Sequence, residues 1–350
     1  MITKKILKEI KKDKKGVSLD SFIDLCLYDK KGYYNSKKPI GSKGDFITAP
    51  EISQLFGDIL GIYIFYIWKK KYNTNFNLIE LGPGNGSLLV DILRITNNYK
   101  DIHKKFNIHL VETNKYLINI QKENLLKNNF NDLNIKWHKK LASISLLPSI
   151  IIGNEFLDCL PIKQFQKKNH KWMEKYINYD FKKKIFRYDH KLVKKKNFVE
   201  KLLNYHNYDF IEISQKRERY FTSLCKFIKK TRGTIILIDY GYFDPPNRST
   251  LQSIYNHKKT NILENLGLQD ITSFVDFKRL IEISKKYKLN IDTFCSQENF
   301  LLSHGILERK KNILKKCNQK QIKQVESGYK RLVNKNYMGN VFKFLIISND

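Results

Sequence analysis

The sequence is poor in cysteine and has no long uninterrupted apolar run. Its five cysteines lie far apart and form no C-x-x-C pair, which argues against a zinc site and for a reducing compartment. No H-x-x-x-H pair occurs, so no metal site is expected. Because no stretch reaches about 18 apolar residues, we expect no membrane span. The Lys-rich N-terminus contains Glu9 and Asp13, unlike most targeting peptides, and is predicted to form a first helix.

Acidic residues are also scarce, since 34 of them face 65 basic residues and leave a formal net charge of +31. Such a charge is typical of nucleic-acid binding. Only nine of the basic residues are arginines, however, and sites that read phosphate or guanine favour arginine. The lysines are spread along the whole chain, and A/T-rich codons for Lys, Asn and Ile would explain their number. A solvated surface is therefore favoured, and nucleic acid is not the expected partner.

Three of the 16 glycines lie close together, directly after a short apolar run. Residues 77–81 are predicted to form a strand that contains Glu80, and Gly82, Gly84 and Gly86 follow at alternate positions. Glycine lets the backbone approach a ligand closely. The third glycine comes one residue earlier than in the dinucleotide fingerprint. The loop therefore favours S-adenosylmethionine over NAD, although an ordinary turn would explain a glycine loop that stood alone.

A second predicted strand, residues 107–112, ends in Glu112. In nucleotide-binding folds, an acid at the end of the second strand accepts hydrogen bonds from ribose hydroxyls. Glu112 is therefore a candidate ribose ligand. The competing interpretation is a solvated charge at the end of a strand.

Acidic residues also follow the apolar run 150–152. This strand should lie beside the first one, so Asn154 and Glu155 should face the transferred methyl group. Amino-DNA methyltransferases carry an Asn/Asp-Pro-Pro-aromatic loop here, whereas this chain has a carboxylate, which suits a cationic acceptor such as a guanidinium. Glu155 is predicted to orient that guanidinium and Asp158 to assist. The alternative is that Asn154 and Glu155 cap a turn.

Strands and helices alternate through residues 78–160, with strands predicted at 77–81, 107–112, 134–138 and 149–153. This order predicts a mainly parallel sheet with both faces covered. Lys and aromatic residues alternate in 163–200 and predict inserted antiparallel hairpins. A helix is predicted from Thr48, its N-cap, to about Tyr72, and 244–272 are predicted to be rich in loops.

With these segments in place, the chain resembles the MidA-type family of S-adenosylmethionine-dependent methyltransferases, which includes a mitochondrial assembly factor of respiratory complex I. Asn85 departs from the family, where arginine is common. The matching segments keep the family order and are 28–34, 44–54, 80–86, 154–161, 239–242 and 270–277.

The resemblance implies an α/β fold with a Rossmann-like, seven-stranded class I methyltransferase sheet, an N-terminal helical extension and an inserted β-hairpin and helical lid. Residues 1–75 would form the N-terminal segment with a loop that closes over the cofactor. Residues 76–350 would form the methyltransferase domain, with an insertion at about 163–232. The protein would lie in the cytoplasm in a bacterial source and in the mitochondrial matrix in a eukaryotic one.

The resemblance also implies protein arginine methylation, with a complex I core subunit as substrate and a role in its assembly. Catalysis would fall to Glu155 and Asp158, and substrate contacts to Glu51 and Asp270. The predicted ligands of S-adenosylmethionine are Glu80, Gly82, Gly84, Gly86, Glu112, Asp45, Phe46, Thr48 and Asn154. A nucleic-acid methyltransferase and a non-catalytic assembly factor are the alternative functions, and a homodimer is a further possibility.

Overall fold

The structure is a computed structural model that describes residues 2–13, 16–35, 49–99, 102–130 and 132–349. Its helices are α1 (Ile2–Lys12), α2 (Leu19–Tyr28), α3 (Ala49–Ile52), α4 (Gln54–Ile67), α5 (Ser87–Thr96), α6 (Ile102–Lys105), α7 (Lys115–Lys127), α8 (Lys196–Leu203), α9 (Gln215–Thr231), α10 (Phe277–Lys286), α11 (Gln297–Ser303), α12 (Ile306–Leu314), α13 (Gln319–Val333) and α14 (Met338–Val341). Its strands are β1 (Val17–Ser18), β2 (Phe76–Leu81), β3 (Phe106–Val111), β4 (Ile135–His138), β5 (Ser149–Asn154), β6 (Lys163–Lys168), β7 (Lys171–Asp180), β8 (Ile185–Leu192), β9 (Phe210–Ile213), β10 (Gly233–Tyr242), β11 (Gln252–Tyr255), β12 (Lys258–Thr260), β13 (Asp270–Thr272), β14 (Val275–Asp276), β15 (Asn290–Ser296) and β16 (Phe342–Asn349).

The chain divides into two compact units. Unit 1 comprises Met1–Pro39, Leu157–Tyr220 and Tyr242–Asp276, and unit 2 comprises Ile40–Phe156, Phe221–Gly241 and Phe277–Asp350. The boundary expected at residue 75 stays a prediction. No helix among the described residues is long and apolar enough to cross a membrane.

Unit 2 is built on a mixed sheet whose strands run in the order β15-β16-β10-β5-β2-β3-β4. The five strands from β10 to β4 are parallel, and β16 is antiparallel to both of its neighbours. All six residues of β2 are buried, as expected of a parallel strand that is covered on both faces. The predicted α/β fold with a mainly parallel sheet is confirmed, including the position of β5 beside β2.

Helices α4 and α5 approach closely through two glycines of α4. A Cβ atom on Gly57 would lie 2.3 Å from Cβ of Asp91, and one on Gly61 would lie 2.3 Å from Cγ2 of Ile95. Because α5 begins where the loop after β2 ends, this contact helps to fix the start of α5.

The helix predicted from Thr48 to Tyr72 is not a single element, and Thr48 lies outside the described residues. Ser53 is extended (φ −162°, ψ 130°) and separates α3 from α4, whose first turn it caps through a hydrogen bond from the Leu55 N–H. A π-helical turn, Trp68–Tyr72, follows α4. Ser53 packs closely against α13 at this break, since a Cβ atom on Gly328 would lie only 2.8 Å from Cβ of Ser53.

Unit 1 contains the predicted antiparallel hairpins. Strands β6, β7 and β8 form a meander, and β1 and β9 complete the sheet. A second sheet, in the order β12-β11-β13, occupies the region expected to be loops. Helices α1 and α2 pack into one apolar cluster with the central part of β7, through residues such as Ile6, Phe22 and Ile177.

Candidate functional site

The loop after β2, residues 82–86, bends through three glycines with positive φ. The φ angles are 58° at Gly82, 56° at Gly84 and 84° at Gly86, a region that side chains disfavour. A Cβ atom on Gly82 would lie 2.9 Å from Cδ2 of Phe156, and one on Gly86 would lie 3.3 Å from Cγ of Gln121. This glycine loop therefore exposes backbone where any larger residue would be strained.

Polar residues of α7 hold the glycine loop in place. Gln121 is fully buried, donates from Nε2 to the Gly84 carbonyl (2.8 Å) and accepts from the Trp137 indole N–H (2.8 Å). Asn124 donates to the carbonyl of Asn85 (2.8 Å). Neither α7 residue was predicted from the sequence. Their only signal is that two amides lie three residues apart and so share one face of a helix.

Glu51, a predicted substrate residue, contacts the glycine loop. Its Oε1 accepts a hydrogen bond from the Asn85 side chain (2.6 Å), and Asn85 Oδ1 accepts from the Ser87 N–H (3.0 Å). Glu51 therefore connects α3 to the start of α5. Its role toward a substrate stays a prediction.

Glu80 lies at the carboxyl end of β2 and is almost completely buried, with 5% of its surface exposed. Its Oε2 has no hydrogen-bond partner in the part of the chain that the structure describes. Burial raises the pKa of Glu80 to about 8. Because an unpaired buried carboxyl group is costly, the position fits a ligand that supplies a cationic donor.

Asn154 and Glu155 follow directly at the end of β5. The buried Oδ1 of Asn154 has no partner among the described residues, whereas its Nδ2 donates to Oε1 of Glu155 (3.4 Å). Glu155 has a φ of 47°, which is unusual for a residue with a side chain and recurs at ligand sites. Its N–H donates to the Ile238 carbonyl (2.8 Å), which anchors this bend to β10.

Glu112 follows β3, and one of its carboxylate oxygens accepts hydrogen bonds from the next two residues. Its Oε1 accepts hydrogen bonds from the N–H groups of Thr113 (2.7 Å) and Asn114 (2.8 Å). Burial raises the pKa of Glu112, and these hydrogen bonds oppose the shift. The ribose role predicted for Glu112 is untested by this geometry and stays a prediction.

The carboxyl ends of the three central strands are aligned. Leu81 of β2 lies opposite Val111 of β3 on one side and Gly153 of β5 on the other. The glycine loop, Glu112 and Asn154 therefore leave the sheet at one edge, where open α/β sheets bind their ligands.

The predicted residues Asp158 and Asp270 belong to unit 1, where Asp270 bonds to one of two stacked tyrosines. Tyr28 and Tyr34 stack with their ring centroids 5.6 Å apart. Tyr34 donates from its hydroxyl to Oδ1 of Asp270 (2.9 Å), which also accepts from the Ile271 N–H (2.8 Å). Sequence patterns did not single out either tyrosine for this role.

Burial raises the pKa of both Tyr28 and Tyr34 well above the usual value for tyrosine, and the charges of Asp158 and Asp270 raise it further. Asp158 and Asp270 are each about 5% exposed, so unit 1 holds two buried acids, and Asp270 bonds to the Tyr34 hydroxyl.

The remaining predicted ligands, Asp45, Phe46 and Thr48, lie outside the described residues. Their roles stay predictions. Among the residues that the structure does describe, no group of three or more His, Cys, Asp and Glu side chains could hold a metal ion.

A family model described as "Putative S-adenosyl-L-methionine-dependent methyltransferase" matches residues 59–295. The chain belongs to this family. It is 32% identical over 346 residues to the protein arginine methyltransferase NDUFAF7 homolog, mitochondrial, of Caenorhabditis elegans, a match that covers 89% of this chain and 78% of that protein. It is 30% identical over 341 residues to the human protein arginine methyltransferase NDUFAF7, mitochondrial, covering 91% and 76%.

The fold of this methyltransferase is shared with a solved protein of Burkholderia thailandensis that was crystallised with S-adenosyl-homocysteine. The TM-score is 0.87 at 22% identity, and the match covers 99% of this chain and 92% of that one. The predicted class I methyltransferase fold and the MidA-type resemblance are thereby confirmed.

S-adenosylmethionine is the cofactor of the family, and the described residues fit it. The glycine loop leaves backbone accessible where a Cβ atom would collide, and the unpartnered oxygens of Glu80 and Asn154 lie at the same edge of the sheet. These atoms could pair with the amine and hydroxyl groups of such a ligand.

Proposed function

We propose that this methyltransferase transfers the methyl group of S-adenosylmethionine to a guanidinium nitrogen of arginine in a protein. The observation that carries the proposal is Glu155, a carboxylate held at a φ of 47° directly after β5. In this proposal, the cationic acceptor would meet the methyl group beside Glu155. The relatives reported above are protein arginine methyltransferases, which supports the same acceptor.

On the cofactor side, the buried Oε2 of Glu80 would pair with the ammonium group of the methionine moiety. The backbone of the glycine loop would line the same moiety, Asn154 would accept from an N–H or O–H donor, and Glu112 would bind the ribose hydroxyls. Asp45, Phe46 and Thr48 would close over the cofactor. The bound cofactor supplies an activated methyl group on a sulfonium.

On the acceptor side, Glu155 would accept hydrogen bonds from two guanidinium N–H groups, with Asp158 assisting and Glu51 and Asp270 as further substrate contacts. These acids orient one nitrogen toward the methyl carbon. Such alignment supplies roughly 7–11 kcal/mol of the barrier reduction. The nitrogen would receive the methyl group that the cofactor supplies, with S-adenosyl-homocysteine as the leaving product, and a carboxylate or water would take up the proton that the methylated nitrogen loses.

The substrate that we propose is a core subunit of respiratory complex I, whose assembly the methylation would aid, because the family includes a complex I assembly factor. The cytoplasm is the proposed compartment in a bacterial source and the mitochondrial matrix in a eukaryotic one. A homodimer stays a prediction, which light scattering of the purified chain tests.

The proposal is tested with cofactor that carries a deuterated methyl group, incubated with respiratory-chain protein and the purified enzyme. We expect mass spectrometry to find the label on arginine, and Glu155→Gln to lower its incorporation at least about a hundredfold, as loss of a charged contact to the reacting group predicts. Glu308→Gln is the matched control, since that side chain is 72% exposed on α12.

The outcome also decides between the alternatives. Label in RNA would identify a nucleic-acid methyltransferase, which the net charge of +31 favours. Normal complex I assembly in cells that carry only Gly84→Val, with no cofactor binding by the variant, would identify a non-catalytic assembly factor.

A further inference from the structure

Arg217, near the start of α9, is a buried arginine that no sequence pattern singles out. It belongs to unit 1, and 5% of its surface is exposed. Every partner of its guanidinium belongs to one of two chain segments, 157–158 and 273–274. The hydrogen bonds run from Nε to the Leu157 carbonyl (3.0 Å), from Nη1 to the Phe274 carbonyl (2.9 Å), and from Nη2 to the carbonyls of Asp158 (3.4 Å) and Ser273 (3.4 Å) and the Ser273 hydroxyl (3.2 Å).

A buried charge normally needs an opposite charge beside it. Among the hydrogen bonds and ion pairs of the described residues, however, Arg217 has no carboxylate partner. Its planar fork of donors is satisfied by oxygens of two loops instead, which the single ammonium of a lysine could not reproduce. The charge of Arg217 opposes the rise that burial causes in the pKa of Glu212, but its hydrogen bonds run mainly to backbone carbonyls and fix their positions.

The two segments that Arg217 joins lie at or near the two acids of unit 1 that were predicted to act on the substrate. Asp158 lies in the first segment, and Asp270 lies three residues before the second. The segments also bond directly, because the Ser273 N–H donates to the Asp158 carbonyl (3.0 Å). Asp270 is held by a further hydrogen bond, which the Tyr34 hydroxyl donates to its Oδ1 (2.9 Å).

We infer that Arg217 is a positioning residue, which holds these loops so that Asp158 and Asp270 bind one guanidinium group, with Tyr34 orienting Asp270. A guanidinium has five N–H donors in one plane and can bond to two carboxylates at once. The inference rests on the proposed function, since it identifies the acceptor group of that reaction.

The test uses the full-length protein saturated with S-adenosyl-homocysteine and the probe N-acetyl-arginine methylamide, with binding measured by NMR titration. We expect Arg217→Lys to weaken probe binding about tenfold, equal to about 1.4 kcal/mol, and Tyr34→Phe to weaken it less. Affinity for S-adenosyl-homocysteine should stay unchanged, which also shows that each variant is folded. With a protein acceptor, Arg217→Lys should raise KM more than it lowers kcat.

Arg309→Lys is the matched control, because Arg309 also makes a short hydrogen bond to a buried partner, from Nε to Oδ2 of Asp58 (2.7 Å), but lies in unit 2. It should lower thermal stability and leave probe binding unchanged. The inference is overturned if Arg217→Lys binds the probe like the wild type, or if the wild type does not bind it more tightly than N-acetyl-lysine methylamide.

The two proposals can fail separately. Probe binding that depends on Arg217, without methylarginine in any protein, would reject the proposed reaction and retain the guanidinium site. Arginine methylation with an unchanged KM in Arg217→Lys would retain the reaction and reject the positioning role.

Discussion

At the scale of single residues, Glu80 has the most direct consequence for pH dependence. Its pKa is raised from 4.5 to about 8 by burial. Between these values the folded protein holds a proton that the unfolded chain releases. The contribution of Glu80 to stability is therefore full below about pH 4.5 and is lost as the pH rises to about 8.

We predict that Glu80→Gln flattens this dependence in the cofactor-free protein. Glutamine has the same shape and cannot ionise, so the variant should gain stability relative to the wild type as the pH rises, by up to a few kcal/mol (about 1.4 per pKa unit). Urea unfolding at about pH 5 and pH 8.5 measures the difference. Equal pH slopes in both proteins would show that Glu80 is not titrating as described.

Glu80→Gln should also weaken cofactor binding, because an ammonium group pairs more strongly with a carboxylate than with an amide. We expect calorimetry to show at least about a tenfold loss of S-adenosyl-homocysteine affinity, as removal of one charged hydrogen bond predicts. Glu308→Gln is the control for both measurements.

Some residues of the site could be predicted from the sequence and others could not. Glu80, Glu155 and Asp270 were identified as acids at strand ends or in matched segments, which the chain order reveals. Gln121 and Arg217 were missed because their partners lie tens of residues away, at Gly84 and at Leu157. Their function is to bond to backbone carbonyls, and no local pattern encodes such a contact.

At the scale of elements, the glycine loop between β2 and α5 makes the clearest prediction. Gly82→Ala should lower S-adenosyl-homocysteine affinity at least about tenfold, because its Cβ atom would lie 2.9 Å from the Phe156 ring and the backbone would have to move. Stability should fall by about 1–2 kcal/mol, the cost of placing an L residue at positive φ. Calorimetry and urea unfolding give the two quantities.

Gly305→Ala separates the two effects of that substitution. Gly305 has a φ of +87°, but nothing lies within 4 Å of the position that its Cβ atom would take. It should therefore show a similar loss of stability with unchanged cofactor affinity. If both variants lost affinity equally, close approach at Gly82 would not be the reason that glycine is needed there.

Elements differ in how well the sequence predicts them. The strands of the central sheet were predictable because they are buried on both faces and read as apolar runs, such as 150–152. The break at Ser53 was not predictable, because the apolar pattern continues through it and its packing against Gly328 in α13 is a contact between distant residues. Strands β11 to β13 were missed because they are short and polar, with Ser253 and Thr260 paired by hydroxyl bonds.

At the scale of the whole molecule, the net charge of +31 has to be reconciled with a protein substrate. Exposed lysines attract any polyanion, and such attraction falls steeply with salt because bound counterions are released. Charge alone therefore gives binding without specificity, whereas in our proposal methyl transfer depends on the acids and the glycine loop.

We predict that RNA binding and methyl transfer separate as the salt concentration rises. Between about 50 and 200 mM salt, affinity for a fluorescent RNA should fall about a thousandfold, as for a protein that contacts several phosphates. Methylation of arginine should change far less, because burial protects Glu80, the proposed partner of the cofactor, from screening by salt. Fluorescence anisotropy and label incorporation, measured on one preparation, test both halves. Salt-resistant RNA binding that loses its affinity in Glu155→Gln would instead place the acceptor in nucleic acid.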